Sequence, residues 1–218
     1  MKKFLCILCL ILASTGFIAT RQADALLVSV SGGLSTLGAF PQIVTAPPNI
    51  FDDAAINLGM QGFDERQGVL LASDLAVDGG VIFADTTVNS HMIYLDEGEE
   101  IAPLINEHLN VKWTFDGEVL GVMSDWPGSL EAASSSFLGA PGTLYPAAFN
   151  GRGLELADHF RQPDIYTING NELTVSMWVI EPGDWIRVVT NPVPEPSTLL
   201  LLGSGLVGLG YMSRRFRT

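Results

Sequence analysis

Cysteine is nearly missing from this chain of 218 residues: there are two, Cys6 and Cys9, both inside one apolar run near the start. Residues 26–192 contain none. Thiol catalysis and cysteine-ligated metal sites are therefore excluded from that stretch. No disulfide reinforces it, so its stability must come from buried apolar surface, helped by any ions it holds. Basic residues are scarce too, with 11 Lys and Arg against 24 Asp and Glu. Segments 1–25 and 193–218 each account for three basic and one acidic residue, which leaves 5 basic and 22 acidic side chains between them. That net charge of −17 repels phosphate. It argues against nucleic acid and anionic lipid as partners and suits divalent cations or neutral polymers such as polysaccharide. Acidic residues that only solvate an exported surface would give the same composition. Histidine is limited to His91, His108 and His159, with no H-E-x-x-H or other paired metal spacing, and residues 26–192 contain no G-x-S-x-G elbow.

Long apolar runs occur at the two ends. Lys2 and Lys3 precede the run Phe4 to Leu12, and Ala23-Asp24-Ala25 places small residues where signal peptidase reads them. Residues 1–25 are therefore expected to be a secretory signal peptide, cut after Ala25. Cys6 and Cys9 each follow a leucine rather than the small residue a lipoprotein signal needs. At the other end, Pro192, Pro194 and Pro196 hold the chain extended, because proline fixes φ and disfavours helix at the residue before it. The 14 residues Leu199 to Met212 then give a helix of roughly 21 Å against a hydrocarbon core of about 30 Å. This is a short membrane helix, suited to a transient span with snorkelling arginines. Arg214, Arg215 and Arg217 follow and hold the C-terminus on the cytoplasmic side, so residues 26–192 are placed outside the inner membrane. Gly203-Ser204-Gly205-Leu206-Val207-Gly208 fits the dinucleotide pattern G-x-G-x-x-G, but it lacks the preceding strand and the acidic residue downstream. Small residues in a membrane helix explain it better.

The order of proline box, apolar segment and basic end resembles the PEP-CTERM sorting signal of Gram-negative bacteria that make exopolysaccharide, and Val193-Pro194-Glu195-Pro196-Ser197-Thr198 carries that resemblance. The resemblance implies that an exosortase-type transpeptidase reads Pro194, Glu195 and Pro196 as substrate residues, cuts nearby and passes the protein to the cell surface or extracellular matrix. It implies a route and a location, and no activity.

Residues 26–192 read as one mainly β domain. Strands are expected at Leu26 to Val30, Val69 to Val77, Val81 to Phe83 after the turn Asp78-Gly79-Gly80, and Val88 to Leu95. A charged loop with one helical turn at Leu104 to Leu109 is expected next. The alternation of Val111, Trp113 and Phe115 with polar residues marks the clearest strand, and Asp116-Gly117 is expected to turn it into a hairpin with Glu118 to Met123. Ser129 is expected to cap a short helix that Gly139 ends. Tyr166 to Ile168 and Leu173 to Ile180 form a hairpin about Asn169-Gly170, and Trp185 to Thr190 is a last strand. Short strands with Gly, Pro and Asn turns and one short helix predict an antiparallel β-sandwich of jelly-roll type.

Chemistry is more weakly signalled. Calcium suits this oxygen-rich, thiol-free stretch better than zinc, and donors cluster at Asp52, Asp53 and Asn57 and at Asp74 and Asp78. Turn-forming and capping Asp accounts for the same residues. Trp126, between Asp125 and Pro127, is the aromatic expected to be exposed and to stack on sugar, whereas Trp113 and Trp185 are expected in the core. The function that follows is an exported, non-enzymatic surface or matrix protein associated with exopolysaccharide. The rival is a secreted polysaccharide hydrolase or carbohydrate-binding module, which as a hydrolase needs two carboxylates about 5–10 Å apart across a sugar groove.

Overall fold

The computed structural model describes residues 26–96, 105–155, 164–180, 182–193 and Gly203, and all but Gly203 belong to the unit Asp24–Val193. Its strands are β1 (Leu27–Ser31), β2 (Gln42–Ile43), β3 (Gln61–Asp64), β4 (Val69–Leu70), β5 (Leu75–Val77), β6 (Gly80–Ile82), β7 (Thr87–Leu95), β8 (Asn106–Phe115), β9 (Val119–Met123), β10 (Ile165–Asn169), β11 (Glu172–Val179) and β12 (Asp184–Thr190). One helix, α1 (Ser129–Leu138), lies between β9 and β10. The architecture is mainly β. One sheet has the order β1-β8-β11-β10, and a second has the order β2-β3-β7-β12-β9 with β4 also paired to β7. β5 and β6 form a separate hairpin. Pairing is antiparallel apart from the short β2–β3 contact.

Side-chain alternation decides which faces meet. In β8, Val111, Trp113 and Phe115 are fully buried. They share one core with Leu173, Val175 and Met177 of β11 and with Ile93, Ile186 and Val188 of the other sheet. Burying each such side chain is worth about 1.5–3 kcal/mol. Strict alternation would put His108 and Val111 on opposite faces, yet both are buried. A register shift opposite Val175–Met177, with Asn110 at φ 54°, forms a bulge that returns the strand to the same face. β12 is buried along its whole length. Its even positions Ile186 and Val188 face the shared core, while Trp185 and Val189 join two further apolar clusters on its other side.

α1 is fastened to that other side by ions. Arg187 of β12 grips Glu65 with two charge-assisted bonds, Nε to Oε2 at 2.7 Å and Nη2 to Oε1 at 2.8 Å. It also donates to the Glu131 carbonyl and to Ser134 Oγ of α1, both at 2.6 Å. Glu131 completes the network by pairing with Arg152, and all four side chains are at most 1% exposed.

Several expected elements are corrected. Val69 to Val77 is not one strand: the chain turns a corner at 71–74, where Leu71 exchanges backbone bonds with Asp85 and Thr86 and Asp74 accepts from the Ala84 amide. The helical turn expected at Leu104 to Leu109 is strand from Asn106 onward, because Glu107 and His108 pair with Trp178 and Met177. The Asp116-Gly117 hairpin does not form. Neither residue has positive φ, β9 pairs with β12 instead, and the backbone of Phe115 and Val119 bonds to Gly170 and Asn171. The chain thus crosses between sheets there. The β10–β11 turn is centred on Gly170-Asn171, one residue later than expected. β3 carried no recognisable strand signal. Among the described residues no helix is long and apolar enough to cross a membrane. The span expected at Leu199 to Met212 lies outside them, Gly203 excepted.

Two consequences are measurable. Removing one member of a buried ion network strands its partner's charge, so Glu65→Ala should cost about 3–5 kcal/mol in urea unfolding, and replacing Glu65 and Arg187 together by methionine should recover most of it. A loss under about 1 kcal/mol would show that Arg187 is satisfied without Glu65. The second concerns His108, whose Nδ1 accepts from the Met60 amide at 2.9 Å while Nε2 donates to the Gly33 carbonyl at 3.0 Å. Only the neutral ring fits both bonds. Burial lowers its pKa below the ordinary 6.5. A depressed pKa contributes stability above the ordinary value that is lost as pH falls. Wild type should therefore lose stability relative to His108→Asn between pH 7 and 5, and parallel profiles would contradict this.

Candidate functional site

The sorting residues Pro194, Glu195 and Pro196, the cleavage residues Ala23 and Ala25, and His159 lie outside the described residues. The other expected donors serve turns and packing. Asn57 is buried and bonds the backbone of Tyr94 and Asp96. Asp53 sits at φ 62° on an exposed turn, with Asp52 exposed beside it. Asp74 holds the Ala84 amide, and Asp78 accepts from Ser124 N and Oγ and from Tyr166 Oη. His91 is fully buried between Asp64, at 2.7 Å, and Thr190, at 3.0 Å. Trp113 and Trp185 are fully buried, as expected, and Trp126 is 47% exposed.

Trp126 is held by a tightly built segment. Asp125, rather than Ser129, caps α1: its carboxylate accepts from the Ser129 amide at 2.8 Å and the Leu130 amide at 3.0 Å. Gly128 precedes the helix at φ 63°, with no room for a side chain because Arg152 Cδ would lie 2.5 Å from a Cβ. Residues 149–154 then run back along this turn. Arg152 donates to the Pro146 and Ala147 carbonyls, and burial beside Arg187 lowers its pKa to about 10. Gly153 donates to the Trp126 carbonyl and Leu154 to that of Ser124. A Cβ on Gly153 would meet the Asp125 carbonyl at 2.1 Å, so only glycine allows the approach.

This segment delivers Glu155 to Asp164 and Asp184, and one oxygen from each lies within 4.8 Å of the others. Asp164 immediately precedes β10, and Asp184 opens β12 on the face of Ile186 and Val188. Exposure is 4% at Asp164 and 2% at Asp184, while Glu155 is half-buried. Asp164 Oδ1 accepts from the Trp178 amide at 2.5 Å and Oδ2 from the Glu155 amide at 3.4 Å. Glu155 Oε1 accepts from Trp126 Nε1 at 3.1 Å. Asp184 Oδ2 is buried without a hydrogen-bond partner. Burial pushes the Asp164 carboxyl up to about 7 against the pull of the Trp178 amide, and the charge of Glu155 adds to the rise. Asp184 is raised well above the carboxylate range by burial, then by Asp164 and Glu155. Such a group can share protons or hold a cation. The sequence gives no local sign of it, because the three residues are apart in the chain and Asp184 reads as part of Glu181-Pro182-Gly183-Asp184.

A cavity of about 660 Å³ lies elsewhere, lined by Glu65, Arg66, Gln67, Phe137 and Pro141 among others. Its carboxylate, Glu65, is the one committed to Arg187.

Residues 192–215 match the family model of the PEP-CTERM protein-sorting motif. No curated protein and no solved structure matches the chain. The motif is a recognition signal for exosortase and marks an exported protein sorted to the cell envelope or surface.

Because Trp126 is half exposed and tied by a single bond, Trp126→Phe should change unfolding free energy by less than about 1 kcal/mol, whereas Trp113→Ala should cost about 3–5 kcal/mol. A loss above about 2 kcal/mol at Trp126, read by urea denaturation, would make it a packing residue rather than a surface platform.

Proposed function

We propose that this chain is a non-enzymatic surface or matrix protein of a Gram-negative bacterium, routed through the inner membrane by its tail and associated with exopolysaccharide. The sorting motif at residues 192–215 carries the reading. Two sheets facing each other across one core are read as an antiparallel sandwich, with residues 26–192 as the exported domain. Its net charge of −17 disfavours anionic polymers other than those bridged by cations and leaves neutral glycans as natural partners. Trp126 supports a glycan contact: its exposed indole is oriented by the bond to Glu155, as a stacking platform requires. A hydrolase would need two carboxylates facing each other across a groove. Asp164 and Asp184, at 4% and 2% exposure, lie inside the domain, and the 660 Å³ cavity is lined by other residues. That pair therefore does not supply the carboxylates of a hydrolase groove.

Changing Pro194, Glu195 and Pro196 together to alanine leaves the apolar run and the arginines in place, so insertion should survive while recognition is lost. The variant should stay uncut in the inner membrane, and wild type should lose its basic end only in a strain that has the transpeptidase. Mass spectrometry of the mature C-terminus distinguishes the outcomes, and an intact Arg214 to Thr218 end on wild-type surface protein would sink the sorting reading.

A further inference from the structure

We infer that Glu155, Asp164 and Asp184 form a binding site for a hard divalent cation, with calcium the best fit. The inference stands on the folded domain and does not depend on the sorting route. Three carboxylates, one of them at the start of β12, offer oxygens within 4.8 Å of one another. Repulsion among like charges at that distance, away from water, has to be offset by something. Asp184 is the informative member. It is 2% exposed, its Oδ2 has no hydrogen-bond partner, and the charges of Asp164 and Glu155 both act on it. A buried carboxylate oxygen left without a donor costs stability unless a proton or a cation meets it.

Geometry and donor type favour the cation. Oxygens bound to one calcium ion lie at most about 5 Å apart, twice the coordination distance of about 2.3–2.6 Å, and the spacing here falls within that limit. All donors are carboxylate oxygens, the ligands hard cations prefer, so zinc and copper are disfavoured. The hydrogen bonds already present orient the group without exhausting it. Asp164 accepts from the Trp178 amide and, over a long contact, from the Glu155 amide, its carboxyl also meets that of Glu155, and Glu155 Oε1 accepts from Trp126 Nε1 among its contacts. A carboxylate has about four lone-pair sites, and Asp184 Oδ2 spends none of its own on a hydrogen bond. Glu155 is half-buried, and waters would fill the remaining coordination positions. Three carboxylates with water correspond to the weak class of extracellular calcium modules, with a dissociation constant of about 10⁻⁴–10⁻³ M.

The test uses the purified full-length chain in detergent, stripped with EDTA and then titrated with CaCl₂ or MgCl₂ while melting temperature and tryptophan fluorescence are followed. Calcium should raise the melting temperature in a saturable way, because a ligand bound only by the native state stabilises it. It should also change the fluorescence, since Trp126 bonds directly to a ligand residue, and this signal should be lost in Trp126→Phe while the thermal response remains. Asp184→Asn keeps the shape and removes one charge. It should weaken calcium binding at least tenfold and bind one ion fewer per chain in equilibrium dialysis, yet melt no lower than wild type in EDTA. A melting temperature indifferent to both ions would overturn the site in favour of carboxyls that share protons, and so would equal calcium binding by wild type and Asp184→Asn. If Asp184→Asn fails to fold, the wild-type titration with Asp164→Asn as second variant decides by the same criteria.

Discussion

Arg187 is the side chain on which the arrangement of this domain most depends. It is the one cation on β12 and is fully buried, so it needs charged partners. The structure meets that demand by bringing Glu65 from the end of β3 and Glu131 from α1 to the same place, and Glu131 in turn recruits Arg152. Two arginines and two glutamates leave the network neutral. A buried ion network of this kind is a weak source of net stability, but each member penalises any packing that leaves another unpaired. The position of α1 over the sheet is therefore specified by charge rather than by the modest apolar face of the helix, whose buried residues are Glu131, Ser134 and Leu138.

What the network holds in place has consequences further along the chain. Arg152, once anchored, fixes the path of residues 149–154 against the turn that carries Trp126, and Trp185 of β12 donates its amide back to the Arg152 carbonyl. That exchange aligns Glu155 with Asp184, next to Trp185. A polar commitment on one face of β12 thereby shapes an acidic group on the other, where Asp184 shares the side of Ile186 and Val188. The buried strand is the common support: its neighbours β7 and β9 pair along its length, and neither face meets water.

The exported domain and its tail present separate problems of recognition. The tail carries its signal in consecutive residues, a match to the sorting motif at residues 192–215. The domain offers an indole platform and buried acids that only folding can assemble. The sorting motif is thus contiguous and the domain's acidic group is not, which is why the motif identifies the route alone.

The same division separates what sequence determined from what tertiary structure decided. The proline box, the mainly β character, the strands β7, β8, β11 and β12, the buried Trp113 and Trp185 and the exposed Trp126 were legible in residue order, because proline geometry and two-residue alternation act between near neighbours in the chain. The strand at Asn106 to Asn110, the crossing at Asp116-Gly117 and the cap from Asp125 were not, since each is settled by a partner: Trp178 and Met177 for the first, Gly170 and Asn171 for the second, the Ser129 and Leu130 amides for the third. Glu155, Asp164 and Asp184 belong to the same class. None belongs to a recognisable local motif, and only the docking of residues 149–154 and the core shared by the two sheets bring them within 4.8 Å. Local preferences fixed which residues face inward, and desolvation of Arg187 and its partners fixed where those inward faces meet.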